Sequence, residues 1–507
     1  MVLLRKVFPF FSAALVAVAV GPVSGASAQT PQIDWNACPE VGFPALQCGT
    51  FKVPYDYNKP TGKKFTIAMQ KLPASGRKIG TLFTNPGGPG SEGLRTWKNA
   101  YFSQSLGEAF DLIGFDPRGV GKTKPAFDCP SVPTPAPPNL PGVDWLKYAM
   151  KITPFQVKEN RACQSKSADF ISHVGTNDVV RDLDAMRAAV GDAKLTYWGM
   201  SYGTRIGYVY AYRYPKKVRA MILDGSVTPD GSWANFADIR SQSADDALRF
   251  IRAVSPASYA AVISTRNSLY ASKLQLRPGL QMSAYHWLMF LTIRLMPFQP
   301  QWPKIIEYAG YVSKARIDGP DGAPARTELS RLVGVPNAIH AGGLGGGAAP
   351  AINCADYADR PTAAERARIV RNVVSKAPIF GGFQASGATS GCVGFTYRPN
   401  PVPKIASKSS LERVKDVKLV ISDSTADGAT PLVWGHAMAK AFPSASEVTM
   451  QGGQHVNFLS TDSECVNRPL RLYLLTLKMP PRRTTCLFSA PDGLDMGAVA
   501  SRKGRLR

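Results

Sequence analysis

The stretch TYWGMSYGTRIG, residues 196–207, sets a serine between two glycines directly after a run of β-favouring aromatic residues. The pattern G-x-S-x-G between a strand and a helix makes a sharp turn that exposes the serine hydroxyl at the carboxyl end of the strand. A serine is a weak nucleophile until a base takes its proton, and the turn alone also fits a plain strand-to-helix connection. Ser201 is therefore a candidate nucleophile if the chain supplies the other catalytic groups.

Further short runs of β-branched or aromatic residues end in loop signals, as the run before Ser201 does. They cover residues 79–84, 110–115, 218–223, 417–421 and 447–450. Runs that are apolar nearly throughout fit a sheet covered on both faces, and patterns with helical spacing lie between them. This alternation predicts an α/β fold with a mostly parallel sheet.

The domain organisation follows from where these runs stop. The chain has 507 residues, which is more than one ordinary domain holds. We expect residues 38–230 and 405–490 to form the two parts of the sheet domain. Residues 231–404 show helical stretches and few clear strands, which predicts an inserted, mainly helical cap. The glycine-rich residues 342–350 within it fit a surface loop, with a hinge as the alternative.

The N-terminus has the pattern of a secretory signal, which we assign to residues 1–28. Arg5 and Lys6 precede an apolar run over residues 7–20, and Ala26-Ser-Ala28 offers the small residues that a signal peptidase cuts. The run is short for a bilayer span of about 20 residues. We expect cleavage near Ala28 and a soluble protein, secreted or periplasmic; an uncleaved anchor helix is the alternative.

Eight cysteines in an exported chain indicate disulfides. No pair has the C-x-x-C spacing of a zinc or redox site. Sequence alone cannot fix the connectivity, and free buried thiols are the alternative. Pairing neighbours in order gives the hypothesis Cys38–Cys48, Cys129–Cys163, Cys354–Cys392 and Cys465–Cys486.

The formal net charge is +24, which favours attraction to anionic surfaces. The basic residues are scattered apart from short clusters, without aromatic interleaving or zinc-finger spacing, so the pattern argues against nucleic-acid binding. We interpret the charge as a source of solubility or of association with an anionic envelope surface.

A glycine-rich loop, Asn85-Pro-Gly-Gly-Pro-Gly90, follows the run at residues 79–84. A carbonyl attacked by serine develops negative charge, which preorganised backbone N–H groups stabilise. Consecutive glycines expose such groups, whereas proline has none to donate. We predict an oxyanion hole from the N–H groups of Gly88, with Gly87 as the alternative, and of Tyr202; an ordinary Gly/Pro turn is the alternative interpretation.

The general base and its orienting acid come from the C-terminal part. Of the five histidines, only His455 follows a predicted strand and a Gly-Gly turn, whereas His436 lies in a helical pattern. A carboxylate must fix the tautomer of the base, and the loop after residues 417–421 offers Asp427 and, at the strand exit, Asp423. We prefer Asp427, which lies further into the loop and can turn back towards His455. The order Ser201, Asp427, His455 is that of α/β-hydrolases.

On these residues the chain resembles exported α/β-hydrolases of the tripeptidyl and prolyl aminopeptidase type, with a TAP-like C-terminal region. The motifs are NPGGPG (85–90), DPRGVG (116–121), VVRDLDAMRAAVG (179–191), YWGMSYGTRIGYVYAYRYP (197–215), DGATP (427–431) and GGQH (452–455). The resemblance implies cleavage of short peptides from a free amino end by Ser201, Asp427 and His455, without metal or cofactor. The family's oxyanion loop often begins with His, where this chain has Asn85.

The resemblance also leaves roles to assign. Arg118, in the DPRG motif, is expected to hold loops near the site rather than to act in catalysis. Recognition of a free amine needs a carboxylate or carbonyl cluster, for which Asp356 is a candidate and a solvated surface acid is the alternative. An esterase or lipase with the same triad is the nearest rival function. A non-catalytic envelope-binding protein on the same scaffold is a more distant one.

Overall fold

The fold is given by a computed structural model, which describes residues 33–488 except 39, 41, 102, 341–347 and 390. The predicted signal peptide, residues 1–28 with its cleavage site near Ala28, lies outside the described residues, as does most of the glycine-rich stretch 342–350. Across the described ranges, no helix is both long and apolar enough to cross a bilayer.

The strands of the described residues form one large sheet and one hairpin. They are β1 (Asn36–Ala37), β2 (Gln47–Pro54), β3 (Lys64–Leu72), β4 (Gly80–Asn85), β5 (Phe110–Phe115), β6 (Leu195–Met200), β7 (Val218–Asp224), β8 (Leu274–Arg277), β9 (Leu280–Met282), β10 (Val420–Ser424), β11 (Ser446–Gln451) and β12 (Arg483–Leu487). The large sheet has the order β1-β2-β3-β5-β4-β6-β7-β10-β11-β12. Pairing is parallel from β5 to β12 and antiparallel from β1 to β5.

Helices cover both faces of this sheet and fill the long connection between β7 and β10. They are α1 (Trp97–Tyr101), α2 (Gln104–Ala109), α3 (Trp145–Lys166), α4 (Thr176–Ala189), α5 (Gly203–Arg213), α6 (Trp233–Val254), α7 (Pro256–Ala271), α8 (Ala284–Phe290), α9 (Pro303–Lys314), α10 (Ala323–His340), α11 (Ala348–Asp356), α12 (Ala363–Lys376), α13 (Gly381–Ala388), α14 (Lys408–Val414), α15 (Leu432–Ala441) and α16 (Glu464–Thr476). A π-helical turn, Leu291–Leu295, continues α8.

The core explains why the central strands are mostly apolar and almost fully buried. Every residue of β6 is buried, with Tyr197 in the cluster on one face and Trp198 in the cluster on the other. Trp198 packs edge-on against Phe458, with ring centroids 5.0 Å apart. Since successive side chains of a strand point to opposite faces, a strand covered on both sides buries every residue. The fold is therefore the predicted α/β fold with a mostly parallel sheet.

The connection between β7 and β10 has its own apolar core. Buried residues of α6, α8 and the chain before α9 form it, among them Leu248, Trp287 and Trp302. Helix α3, which precedes β6, packs on the same layer: Asn160 Nδ2 donates to the carbonyl oxygens of Gly391 and Val393, at 3.0 and 2.8 Å. The chain before β6 thus contributes to the layer that the sequence pattern places after β7.

All eight cysteines are paired, with no free thiol among the described residues. The pairs are those of the neighbour-order hypothesis: Cys38–Cys48, Cys129–Cys163, Cys354–Cys392 and Cys465–Cys486. Each closes a loop of 38 residues or fewer in sequence separation. The prediction of four disulfides is therefore confirmed in its pairing.

Candidate active site

Ser201 occupies the sharp turn between β6 and α5. Its φ is 55°, a left-handed conformation that is rare for residues other than glycine. The backbone holds this conformation: Ser201 N–H donates to Asp224 O at 2.9 Å, and Ser201 O accepts from Thr204 N–H at 2.9 Å. A Cβ on Gly203 would lie 2.7 Å from Asn85 O, so only glycine permits the approach of β4 at this point. The turn therefore presents the Ser201 hydroxyl to the cavity that this residue lines.

The loop after β4 lies against the same turn. A Cβ on Gly87 would lie 2.5 Å from Met200 O and 2.8 Å from Tyr202 N, and Gly87 and Gly88 have φ of 97° and 101°. Gly87 N–H donates to Asn85 Oδ1 at 3.0 Å, so that donor is already used. This bond favours Gly88 over Gly87 as the predicted oxyanion donor. Gly88 and Tyr202 both line the cavity that holds Ser201.

The loop after β10 brings Asp427 to His455. Asp427 Oδ2 accepts from His455 Nδ1 at 2.7 Å and from Thr430 Oγ1 at 2.6 Å. Asp427 Oδ1 accepts the N–H groups of Ala429 and Thr430, at 2.6 and 3.0 Å. The carboxylate is thus fixed by four donors while it faces the ring. Thr430 Oγ1 also lies 3.1 Å from His455 Nδ1.

The electrostatics of Asp427 suit an ionised orienting acid. Burial alone would raise its pKa, but the His455 ring and the hydrogen bonds from His455 and Thr430 outweigh burial and lower the pKa. Its neighbour Asp423 is different: burial raises its pKa well above the ordinary value. Asp423 Oδ1 accepts Ser226 N–H at 2.6 Å, so it ties together the ends of β7 and β10. Of the two acids considered, the structure brings Asp427 to the histidine.

His455 lies just after β11 and is held from three sides. Its Nδ1 is taken by Asp427, and its backbone N–H donates to Pro297 O at 2.6 Å. A Cβ on Gly225 would lie 3.1 Å from its Cε1, so the chain after β7 packs directly on the ring. With Nδ1 engaged, Nε2 is the ring nitrogen left to take a proton, and His455 and Ser201 line one cavity. His436, on α15, instead faces Glu447 with its Nδ1 at 3.0 Å.

The shared cavity has a volume of about 630 Å³, within the range of pockets that hold a drug-sized ligand. One wall is aromatic: Phe236 of α6 stacks on Trp434 of α15, with ring centroids 5.0 Å apart and planes 17° apart. Residues of the segment after α8, including Phe298, close another side.

Two residues singled out from the sequence lie away from the cavity lining. Arg118 is fully buried and donates to Asp182 and to the carbonyl oxygens of Pro54, Tyr55 and His173, a loop-holding role. Asp356 is fully buried and accepts from Arg205 at 3.0 Å. It is neither a surface acid nor a group lining the cavity, so both expectations for Asp356 were wrong. Its burial depends on a partner 151 residues away, which no local pattern reveals.

Sequence reasoning missed other residues of the site. Asn85, Thr430 and Asp224 support it through the bonds given above, and Arg240 lines the cavity from α6. Asp224 accepts the N–H groups of Asn457 and Phe458, both at 2.9 Å, just past His455. Asn85 and Thr430 lie inside the motifs NPGGPG and DGATP, so these motifs could have identified them as residues of the site. Arg240 lies in the connection to the cap, where no motif marks it.

Comparison with known proteins identifies the family of the chain. The family model "alpha/beta hydrolase fold" matches residues 80–314, and the model "TAP-like protein" matches residues 377–486. The chain is 30% identical to serine protease Hip1 of Mycobacterium tuberculosis over 90% of this chain and 91% of that protein.

Two further relatives match different shares of the chain. Tripeptidyl aminopeptidase of Streptomyces coelicolor is 38% identical over 41% of this chain and 40% of that protein. Carboxylesterase B of Mycobacterium tuberculosis is 27% identical over 92% of both chains. From the two matching models and the full-length similarity, the chain belongs to the α/β-hydrolase family, in the group with the TAP-like C-terminal region, and is a serine-peptidase-like enzyme of that family.

Proposed function

We propose that this protein is an exported serine peptidase that cleaves short peptides from the free amino end through an acyl-enzyme. Ser201 Oγ attacks the carbonyl carbon of the scissile bond while His455 Nε2 takes its proton. The N–H groups of Gly88 and Tyr202 hold the oxyanion. His455 then returns the proton to the leaving amine, and water releases the acyl group by the same steps in reverse order.

The observation that carries this proposal is the 2.7 Å bond from His455 Nδ1 to Asp427 Oδ2 beside a cavity that Ser201 also lines. That bond fixes the tautomer in which Nε2 is free to accept a proton. The left-handed φ of Ser201 supports the same assignment, because strained serines of this kind mark nucleophile turns.

The preference for the amino end is supported by the similarity to tripeptidyl aminopeptidase. Among the described lining residues there is no Asp or Glu to bind the ammonium group, so neutral acceptors must serve. Gln454, which precedes the base, has a buried Oε1 with no hydrogen-bond partner within the described ranges. It is the neutral acceptor that we assign to the amine.

Export is supported by the N-terminal pattern at residues 1–28 and by the four disulfides, since such bonds persist in oxidising compartments. The mature enzyme is secreted or periplasmic in this proposal. Its positive charge favours association with an anionic envelope surface.

The test compares Ser201→Ala with Ser460→Ala, a matched loss of one hydroxyl from the same cavity lining. Both variants and the unchanged enzyme are assayed on aminoacyl-nitroanilides and on nitrophenyl esters, and labelled with a fluorophosphonate. We expect Ser201→Ala to lose labelling and all hydrolysis, and Ser460→Ala to keep both. Full amide hydrolysis by Ser201→Ala would contradict the mechanism. If the unchanged enzyme hydrolysed the esters but not the amides, it would be an esterase rather than a peptidase.

A further inference from the structure

The charges around the catalytic cavity are of one sign. The charged side chains among its described lining residues are Arg205, Arg240 and Arg294, and no Asp or Glu is among them. Asp427 lies behind His455, where its oxygens are taken by four donors. A ligand in this cavity therefore meets guanidinium groups without a competing carboxylate in the wall.

Arg205 is already neutralised. Its Nη1 donates to Asp356 Oδ2 at 3.0 Å and to Asn353 Oδ1 at 2.8 Å, and its Nη2 donates to Tyr357 OH at 2.7 Å. This arginine is 1% exposed and its Nη groups belong to a buried network beneath the site, whereas its Nε has no hydrogen-bond partner within the described residues. It is a structural ion pair and leaves little charge for a ligand.

Arg240 is different, because its acceptors are all neutral. Its Nη1 donates to Gly428 O, Ser243 Oγ and Gln384 Oε1, at 3.2, 3.1 and 3.3 Å. Within the described ranges no ion pair includes Arg240, and its Nε and Nη2 groups have no recorded acceptor. A guanidinium has five N–H donors in a planar fork, so one edge of the fork is available. Arg240 is partly buried; burial lowers its pKa while the charge of nearby Asp427 raises it.

Arg294 adds to the same field from the cavity mouth. It lies on the π-helical turn Leu291–Leu295 with its side chain exposed. It also forms no ion pair within the described part of the chain. For Arg240, a partly desolvated charge without an anionic hydrogen-bond partner is costly, and a carboxylate that binds its free edge would lower that cost.

We infer that this cavity selects substrates that carry a carboxylate, held by the free edge of the Arg240 guanidinium and attracted by Arg294. The inference rests on the proposed function, since it concerns the substrate of the same site. The carboxylate has two possible sources: an acidic side chain next to the scissile bond, or the terminal carboxylate of a short peptide.

Matched substrate pairs distinguish the two sources. The first pair is Ala-Glu-nitroanilide and Ala-Gln-nitroanilide, which differ in one charge. The second is tetra-alanine and its C-terminal amide. We expect kcat/KM to be on the order of tenfold higher for the charged member of at least one pair, as for a charge-assisted hydrogen bond, and to lose this preference in high salt. Equal rates in both pairs, or faster cleavage of the neutral members, would overturn the inference.

Variants show whether Arg240 is the group responsible. Arg240→Gln should bring the charged-to-neutral ratio close to one, and Arg240→Lys should restore it in part, because lysine keeps the charge without the fork. Arg252→Gln removes a charge from an exposed position of the same helix and should keep the ratio. If Arg240→Gln lowers both members of a pair equally, Arg240 only supports the loop at Gly428 and the inference fails.

A binding measurement separates this inference from the proposed function. Calorimetry with Ser201→Ala needs no turnover, and the probes are N-acetyl-glutamate and N-acetyl-glutamine amide. Tighter binding of the glutamate to Ser201→Ala, together with no peptide hydrolysis by the unchanged enzyme, would support the carboxylate site and reject the peptidase. Hydrolysis of neutral peptides with no binding preference would support the peptidase and reject the carboxylate site.

Discussion

Replacing Asp427 by Asn tests whether its carboxylate fixes the tautomer of His455, as the proposed mechanism requires. The two carboxylate oxygens accept from four donors, namely His455 Nδ1, Thr430 Oγ1 and two backbone N–H groups. Asparagine has one acceptor oxygen and one NH₂ group, so either orientation of the amide points NH₂ at two donors. With NH₂ towards His455, the ring must accept at Nδ1, and Nε2 then carries the proton and cannot take one from Ser201.

The expected loss is large because the wrong tautomer removes the base. The same substitution in a Ser-His-Asp enzyme lowers kcat by about 10⁴-fold, which corresponds to about 5 kcal/mol in the barrier. We expect a loss of this order in kcat for Asp427→Asn on an aminoacyl-nitroanilide, with intact folding checked by circular dichroism.

Asp423→Asn is the matched control, since Asp423 is as buried as Asp427 and lies near the end of β10, the strand that leads into the loop of Asp427. Burial raises the pKa of Asp423 well above its ordinary value, so an amide resembles the form that this residue favours. We expect kcat to change less than about tenfold, or about 1.4 kcal/mol. If Asp423→Asn lost about 10⁴-fold while Asp427→Asn kept near-normal kcat, the assignment of the acid would be refuted.

Three further outcomes follow from the described geometry. Burial raises the pKa of Asp224 to about 6, so the folded state holds a proton that the unfolded chain releases near pH 4. The contribution of this proton to the free energy of unfolding is fully present below about pH 4. Between about pH 4 and pH 6 it falls by at most about 1.4 kcal/mol per pH unit. The free energy of unfolding measured in urea should decline in this way with pH, and that of Asp224→Asn should not. An equal pH dependence in both proteins would contradict the raised pKa of Asp224. Gly87→Ala should cost more than about 3 kcal/mol of folding free energy and abolish activity, because its Cβ would lie 2.5 Å from Met200 O. Gly42→Ala, also at positive φ but with nothing within 4 Å, should cost only about 1 kcal/mol in the same unfolding measurement and keep full activity; similar losses would show that strain rather than the close approach dominates. Removing the Cys354–Cys392 disulfide by a double Ser substitution should cost about 4 kcal/mol for a sequence separation of 38 residues, measured as a lower Tm without reductant; an unchanged Tm would contradict it.

The sequence predicted the centre of the sheet and missed its edges for a physical reason. All six predicted strands are adjacent in the order β5-β4-β6-β7-β10-β11, where both faces of the sheet are covered and most strand residues are buried. Strand β12 alternates between exposed positions and positions that are partly or, at Cys486, fully buried, and β2 and β3 expose one face in part. An apolar run does not mark such strands, because only alternate residues enter the core.

The candidate site was predictable where local chain geometry creates it. The turn at Ser201 and the loop at Gly88 are built from glycines whose close approaches are local in sequence or lie on adjacent strands. The positive charge of the cavity was not predictable, since Arg240 and Arg294 are far apart in sequence and no motif marks either of them. Asp356 illustrates the same limit, because only the folded chain reveals Arg205 as its partner.

The connection between β7 and β10 contacts the backbone at Gly453 and at His455, the proposed base, so it can influence both the rate and the substrate preference of the proposed reaction. Pro297 O accepts His455 N–H at 2.6 Å, and Gln299 Oε1 accepts Gly453 N–H at 2.7 Å. Trp302 packs so closely on Gly453 that a side chain there would overlap it. The segment that closes the cavity is therefore also the segment that holds the backbone of His455. We expect a substitution in this segment that reshapes the cavity to shift His455 as well, so that substrate preference and rate would change together.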